Sequence, residues 1–165
     1  MSIDELRNLY RYNSWANDAF ARVLRELPDE TFRREVGGAF PSLQRIFAHL
    51  VAAEWVWLER WQGHSPAAFP EWVQSGNASL LADVLRDVES RRAGQFTGLR
   101  ESDLETALSL RYLSGQPASH VLRDVLVHVV NHSTYHRGQL SLMMRLLDLA
   151  PPSTDFIRFP ADLRS

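Results

Sequence analysis

Between Ser119 and the Pro151-Pro152 pair the chain has no proline and a single glycine, Gly138. That is room for roughly eight helical turns. Placed on a helical wheel at about 100° per residue, Leu122, Val125, Val129, Leu140, Met143 and Leu147 gather on one face. A helix of that length cannot bury such a stripe against itself, so it demands helical partners. The rest of the chain supplies them. Ser2-Ile3-Asp4-Glu5 is a capping box that opens a first helix running to about Leu27, before Pro28. Ser42 can cap a second helix through about Trp61, closed by Gly63 and Pro66. A third is predicted from Ser79 to about Phe96 or Leu99, and Ser119 is read as the cap of the last, ending near Leu149. The segment from His64 to Ala78 holds two prolines and a glycine and reads as a surface connection. Thr106 to Leu113 alternates weakly before the turn Ser114-Gly115-Gln116-Pro117, which predicts an extended stretch or short hairpin. The expectation is an all-α four-helix bundle forming a single domain over 1–165.

Composition narrows the function classes. With 165 residues, 45% of them hydrophobic, the chain can fill one core. Its net charge of −2 sets 18 basic against 20 acidic residues, and no basic run exceeds two, so the electrostatic footprint of nucleic-acid binding is missing. "MSIDELRNLY" enters charged helix directly, and no apolar run approaches the roughly 20 residues that cross a bilayer. A cytoplasmic protein without membrane or nucleic-acid partners is expected. The absence of cysteine excludes disulfides, thiolate metal sites and a cysteine nucleophile, so a transition-metal site would rest on His, Asp and Glu.

The last helix contains "HVVNHSTYHRGQL", His128 to Leu140, which places three of the chain's six histidines at intervals of four. On the wheel His132 and His136 fall within the core-facing stripe, whereas His128 lies on its flank beside Tyr135. Two imidazoles four residues apart on one helical face can converge on a single ion. A third ligand must come from another helix, and His49 is the only histidine of the second helix, near a face formed by Ile46, Ala53 and Val56 with small side chains at Ala52 and Ala53. The competing reading is a set of ordinary core histidines whose ring nitrogens find hydrogen-bond partners. His64 and His120 read as surface residues.

Taken together, "YNSWAN" (Tyr12 to Asn17), a second-helix histidine followed by "AEWVWLERW", the "NHSTYHRGQ" element and the terminal "PPSTDFIRF" resemble the DinB/YfiT-like family of metalloenzymes, four-helix bundles named after a DNA-damage-inducible gene. The likeness spans nearly the whole chain. It implies a divalent ion, zinc or nickel, held by His49, His132 and His136, with His128 supporting the ligands from behind. It also implies a homodimer and a role in stress response. The wider superfamily includes mycothiol-dependent maleylpyruvate isomerase and bacillithiol transferases, so the activity implied is activation of a low-molecular-weight thiol for transfer to an electrophile. A metal-dependent hydrolase and a non-catalytic, metal-stabilised stress-response binding protein are the alternatives. No catalytic acid or base is identified.

Other residues carry expectations of their own. Gly138 inside a helix costs about 1 kcal/mol relative to Ala, which predicts close approach by another helix or a ligand. Arg137 points away from the metal face and reads as a structural salt bridge or subunit contact; Gln139 points toward the site. Trp55, Trp57 and Trp61 read as core or interface. Val127 and Val130, opposite the histidines, add to an apolar surplus that motivates the homodimer.

Overall fold

The computed structural model describes residues 1–164 and is built around four long helices: α1 (Ile3–Arg25), α3 (Leu43–Trp61), α5 (Ala78–Thr97) and α6 (Leu122–Leu146). Two short helices, α2 (Asp29–Arg33) and α4 (Trp72–Ser75), lie in the connections, and an antiparallel hairpin of β1 (Ala107–Arg111) and β2 (Pro117–Val121) precedes α6. The long helices close a ring in which α3 packs on α5 and α6, and α1 packs on the same two from the other side. This is the expected bundle.

Local chemistry explains most boundaries. In α1 the Glu5 N–H donates to Ser2 Oγ (3.2 Å) while the Ser2 N–H donates to Glu5 Oε2 (2.7 Å), completing the capping box. Ser42 caps α3 through the Arg45 N–H. Two caps fall elsewhere than expected. Asn77, not Ser79, caps α5, accepting from the Leu80 N–H at 2.9 Å. Ser119 is not a cap at all, because it lies in β2 opposite Ser109. The start of α6 is satisfied instead by the hairpin, whose base brings the Thr106 carbonyl within 3.0 Å of the Leu122 N–H. After α6, Asp148 turns the chain at φ 58°, in the left-handed region that Asp tolerates better than most residues. The terminal segment then folds back onto α1: Tyr12 donates its hydroxyl to the Thr154 carbonyl (2.9 Å), and buried Phe159 packs on Tyr12 and Trp15.

The apolar core divides into two main clusters beside a small third of Tyr12, Ala16 and Phe159. One cluster centres on Phe20, Phe32, Phe47, Leu81 and Leu140, the other on Leu6, Tyr10, Leu104, Leu126 and Val130. Val130 is buried in the second cluster and Val127 packs against it, so these two residues are taken up within the monomer and are not part of an apolar surplus. Trp61 packs on Phe96 and Trp55 on Trp72, which likewise covers much of the aromatic surface of α3.

Near the junction of the clusters lies a polar network. Glu54 is 1% exposed and accepts hydrogen bonds from Asn13 Nδ2 (2.6 Å), Asn17 Nδ2 (3.2 Å) and Ser133 Oγ (2.6 Å) while pairing with the Arg92 guanidinium. Arg137 donates to the side-chain oxygens of Asn13 (2.7 Å) and Asn17 (2.6 Å). Burial would raise the Glu54 carboxyl, but the Arg92 charge and the hydrogen bonds outweigh it and hold the group below the ordinary carboxylate range. One acid thereby links α1, α3, α5 and α6.

Candidate metal centre

His49 on α3 and His132 on α6 are half-buried, and His136 is buried, one turn beyond His132. Each offers a ring nitrogen, and the three nitrogens lie within 4.8 Å of one another. The Nε2 atoms of His132 and His136 are 3.1 Å apart, and the His49 ring centroid is 5.2 and 4.5 Å from theirs. Two nitrogens at zinc-bond length in tetrahedral array would stand about 3.3 Å apart. The donor set therefore fits a small divalent ion.

The surroundings favour the neutral, ligating form of each ring. Burial, and then the charge of His136, lowers His49 to about 4; the same two causes lead in lowering His132 to about 4. Burial also lowers His136, against a hydrogen bond from its ring to Gln139. That bond joins His136 Nδ1 to Gln139 Oε1 at 2.7 Å. Because an amide oxygen only accepts, Nδ1 carries the proton and the lone pair is left on Nε2, toward the other two rings. His132 has no such brace: its Nδ1 is buried without a partner, and the ring is positioned by packing between His49, His128 and His136.

The structure thus brings together the three residues that wheel geometry and resemblance selected. His128 is exposed and touches the group through its ring, 5.7 Å from that of His132 and 5.2 Å from that of Trp57. Arg137 is structural, but its partners are Asn13, Asn17 and Thr134 rather than an acid. A Cβ on Gly138 would meet nothing within 4 Å, so nothing in the structure explains that glycine. His64 is exposed beside Glu59, and His120 is half-buried with Nε2 2.7 Å from the Tyr112 hydroxyl.

Sequence reasoning missed Phe40, whose ring lies 4.7 Å from His49 and 5.5 Å from His136 and covers one side of the centre from the loop before α3. A lone Phe between Gly38 and Pro41 carries no periodic signal. It also missed Glu54, although a carboxylate inside the apolar run "LVAAEWVW" is a visible anomaly. Glu54 is occupied by four partners and offers nothing to an ion. A groove of about 1270 Å³ that includes none of the three histidines opens between α1, α5 and the terminal segment, lined by Tyr10, Trp15, Glu89 and Arg92 among others. No helix among the described residues is long and apolar enough to cross a membrane.

The DinB family model matches residues 1–162. This chain belongs to the DinB family. Among curated DinB relatives, Protein DinB of Bacillus subtilis (strain 168) is 28% identical over 153 residues, covering 90% of this chain and 89% of that one. The uncharacterized protein YizA of the same organism is 24% identical over 159 residues, covering 92% and 94%. The crystal structure of a DinB-like protein from Bacillus cereus ATCC 10987 superposes with a TM-score of 0.70 at 24% identity over 92% of this chain and 97% of that one, a likeness of fold.

Proposed function

We propose that this chain is a metal-dependent enzyme that binds zinc or nickel through His49, His132 and His136 and transfers a low-molecular-weight thiol to an electrophile. The observation that carries the reading is the donor set: three convergent, neutral imidazoles with no carboxylate among them. His49, His132 and His136 would hold the ion, and a divalent ion held by neutral imidazoles alone would keep its full positive charge and favour ionisation of a thiol near neutrality. The chain's own residues set the conditions. Gln139 fixes the tautomer of His136, Phe40 covers one side, and the half-buried rings of His49 and His132 stay partly exposed to solvent.

Thiol chemistry is favoured over hydrolysis for a specific reason. A hydrolase of this kind wants a carboxylate base within reach of its water, yet the nearest buried acid, Glu54, is spent on Arg92, Ser133, Asn13 and Asn17. A thiol ionised at the site needs no such base. The sulfur forms a bond to carbon, the leaving halide departs with the bonding pair, and the thiol proton goes to solvent. Non-catalytic binding is the remaining outcome. The test is glutathione, cysteine, mycothiol or bacillithiol transfer to 1-chloro-2,4-dinitrobenzene by protein purified without a metal-affinity tag, with metal content measured alongside. Acceleration by wild type, lost on chelation and in His132→Ala, supports the reading; no acceleration over His132→Ala with any thiol overturns it.

A further inference from the structure

Arg60 lies in the last turn of α3, three turns from His49, and is 5% exposed. Its guanidinium stands 4.6 Å from the centroid of Trp57 and 5.6 Å from that of Tyr112. The carbonyl end of the helix and two aromatic faces make the charge tolerable there. Neither supplies what a guanidinium needs most, an in-plane acceptor. Its Nε is buried without a partner, and no ion pair involves it among the described residues. The adjacent carboxylate, Glu59, is committed to Arg91 (2.6 Å) and His64 (3.1 Å), and the Tyr112 hydroxyl is joined to His120. Arg92 also keeps a buried Nη2 without a partner, but it has the Glu54 carboxylate beside it; Arg60 is buried with no counter-ion among the described residues, and that requires an explanation.

The path from Arg60 to the metal centre offers one. The guanidinium is 4.6 Å from the Trp57 ring, that ring is 5.2 Å from His128, and His128 is 5.7 Å from His132. Trp57, Tyr112 and His120 are half-buried and His128 is exposed, so solvent reaches part of each side chain along this track between Arg60 and the histidines. One end of the track holds three convergent nitrogens, and the other holds a cation without an anion. We propose that Arg60 binds a carboxylate at the far end of this track, and that the substrate is an extended molecule with its reacting group at the histidines and a terminal carboxylate at Arg60. Where the reacting group is a thiol, the inference rests on the proposed function; the carboxylate contact itself does not. Compact thiols such as cysteine span too little of the track to engage both ends.

S-methylglutathione separates the two ideas, because its sulfur cannot ionise while its carboxylates remain. Calorimetric titration of metal-loaded wild type should show it binding about tenfold or more tightly than its diethyl ester, since charge-assisted bonds to guanidinium are lost in the ester. Arg60→Gln should bring the free acid down to the level of the ester and leave the ester unchanged, and Arg60→Lys should restore part of the difference. The comparison within wild type needs no variant and is immune to misfolding. Equal binding of acid and ester by wild type, no binding of either at millimolar concentration, or an acid preference that survives Arg60→Gln overturns the proposal. Loss of thiol transfer in the separate electrophile assay, with the acid preference intact, would reject the thiol chemistry and leave the carboxylate site standing.

Discussion

Replacing Glu54 by Gln tests the polar network more severely than any change at the histidines. Glu54 is the partner of Arg92, itself 4% exposed, and accepts from the two asparagines that hold Arg137, which is 3% exposed. Glutamine keeps the shape and one accepting oxygen, but it removes the charge and points an amide N–H toward a guanidinium. Breaking a buried ion pair from one side costs about 3 to 5 kcal/mol, against about 5 to 15 kcal/mol for the stability of a whole domain. At about 2 to 4 °C per kcal/mol for a chain of this size, the thermal midpoint should fall by about 6 to 20 °C. Circular-dichroism melts at pH 7 measure this directly. A second arm removes the stranded cation: Glu54→Gln/Arg92→Met should recover part of the loss, giving a coupling of roughly 1 to 3 kcal/mol. Because Glu54 offers no ligand to the triad, the folded single variant should keep its metal stoichiometry, with affinity lowered only as far as α3 slips against α6. A midpoint within about 2 °C of wild type, or loss of the metal while the helices persist, would refute the reasoning.

Three further outcomes follow from the same geometry. Gln139→Ala frees the His136 tautomer and should weaken metal binding by about 10-fold or more without unfolding the protein, as read in competition with a chromophoric chelator; unchanged affinity would show that the brace is idle. In the metal-free protein His49 and His132 sit at about 4, below the 6.5 of an unfolded chain, so the unfolded state takes up protons first as pH falls. Stability should therefore be full above 6.5 and decline toward pH 4, by about 1 to 2 kcal/mol per ring after discounting for solvent at half-buried sites, and urea midpoints that do not drop over this range would contradict it. Glu89 behaves oppositely: burial, partly opposed by the Arg92 charge, raises it to about 7, so the folded state holds its proton longer and stability is lost as pH rises from 4.5 through 7. Glu89→Gln should be neutral at pH 4.5 and stabilising by about 1 to 3 kcal/mol at pH 8, and a destabilised variant at pH 8 would reverse that sign. We also propose a homodimer formed through the exposed Tyr135, Leu142 and Leu146 of α6, which light scattering would exclude by finding a monomer at micromolar concentration, and which Leu142→Glu should dissociate.

The bundle and the triad were legible in the sequence because both obey the helical period. His132, His136 and the stripe from Leu122 to Leu147 share one face by arithmetic alone, whereas His49 was singled out as the only histidine of the second helix and then supported by the resemblance. What escaped detection depends on contacts between segments distant in sequence. Ser119 is a good cap by type, but strand pairing with Ser109 claims it first. Val127 and Val130 look like surplus apolar surface until Leu104, from the turn before the hairpin, joins the cluster that takes them up. Phe40 and Arg60 acquire meaning only once α3 is seen beside α6 and the hairpin, since neither belongs to a repeating pattern.

The three histidines come from only two of the four long helices, and that makes the centre a gauge of alignment. Consecutive residues of a helix advance 1.5 Å, so a slip of α3 past α6 by a single position would move His49 by about half the 3.1 Å that separates the two Nε2 atoms. The bond from Ser133 to Glu54 fastens the same two helices next to His132, on the side of the interface that water does not reach. Mild repacking elsewhere in the bundle should consequently show first as altered ion affinity, before any change in melting temperature.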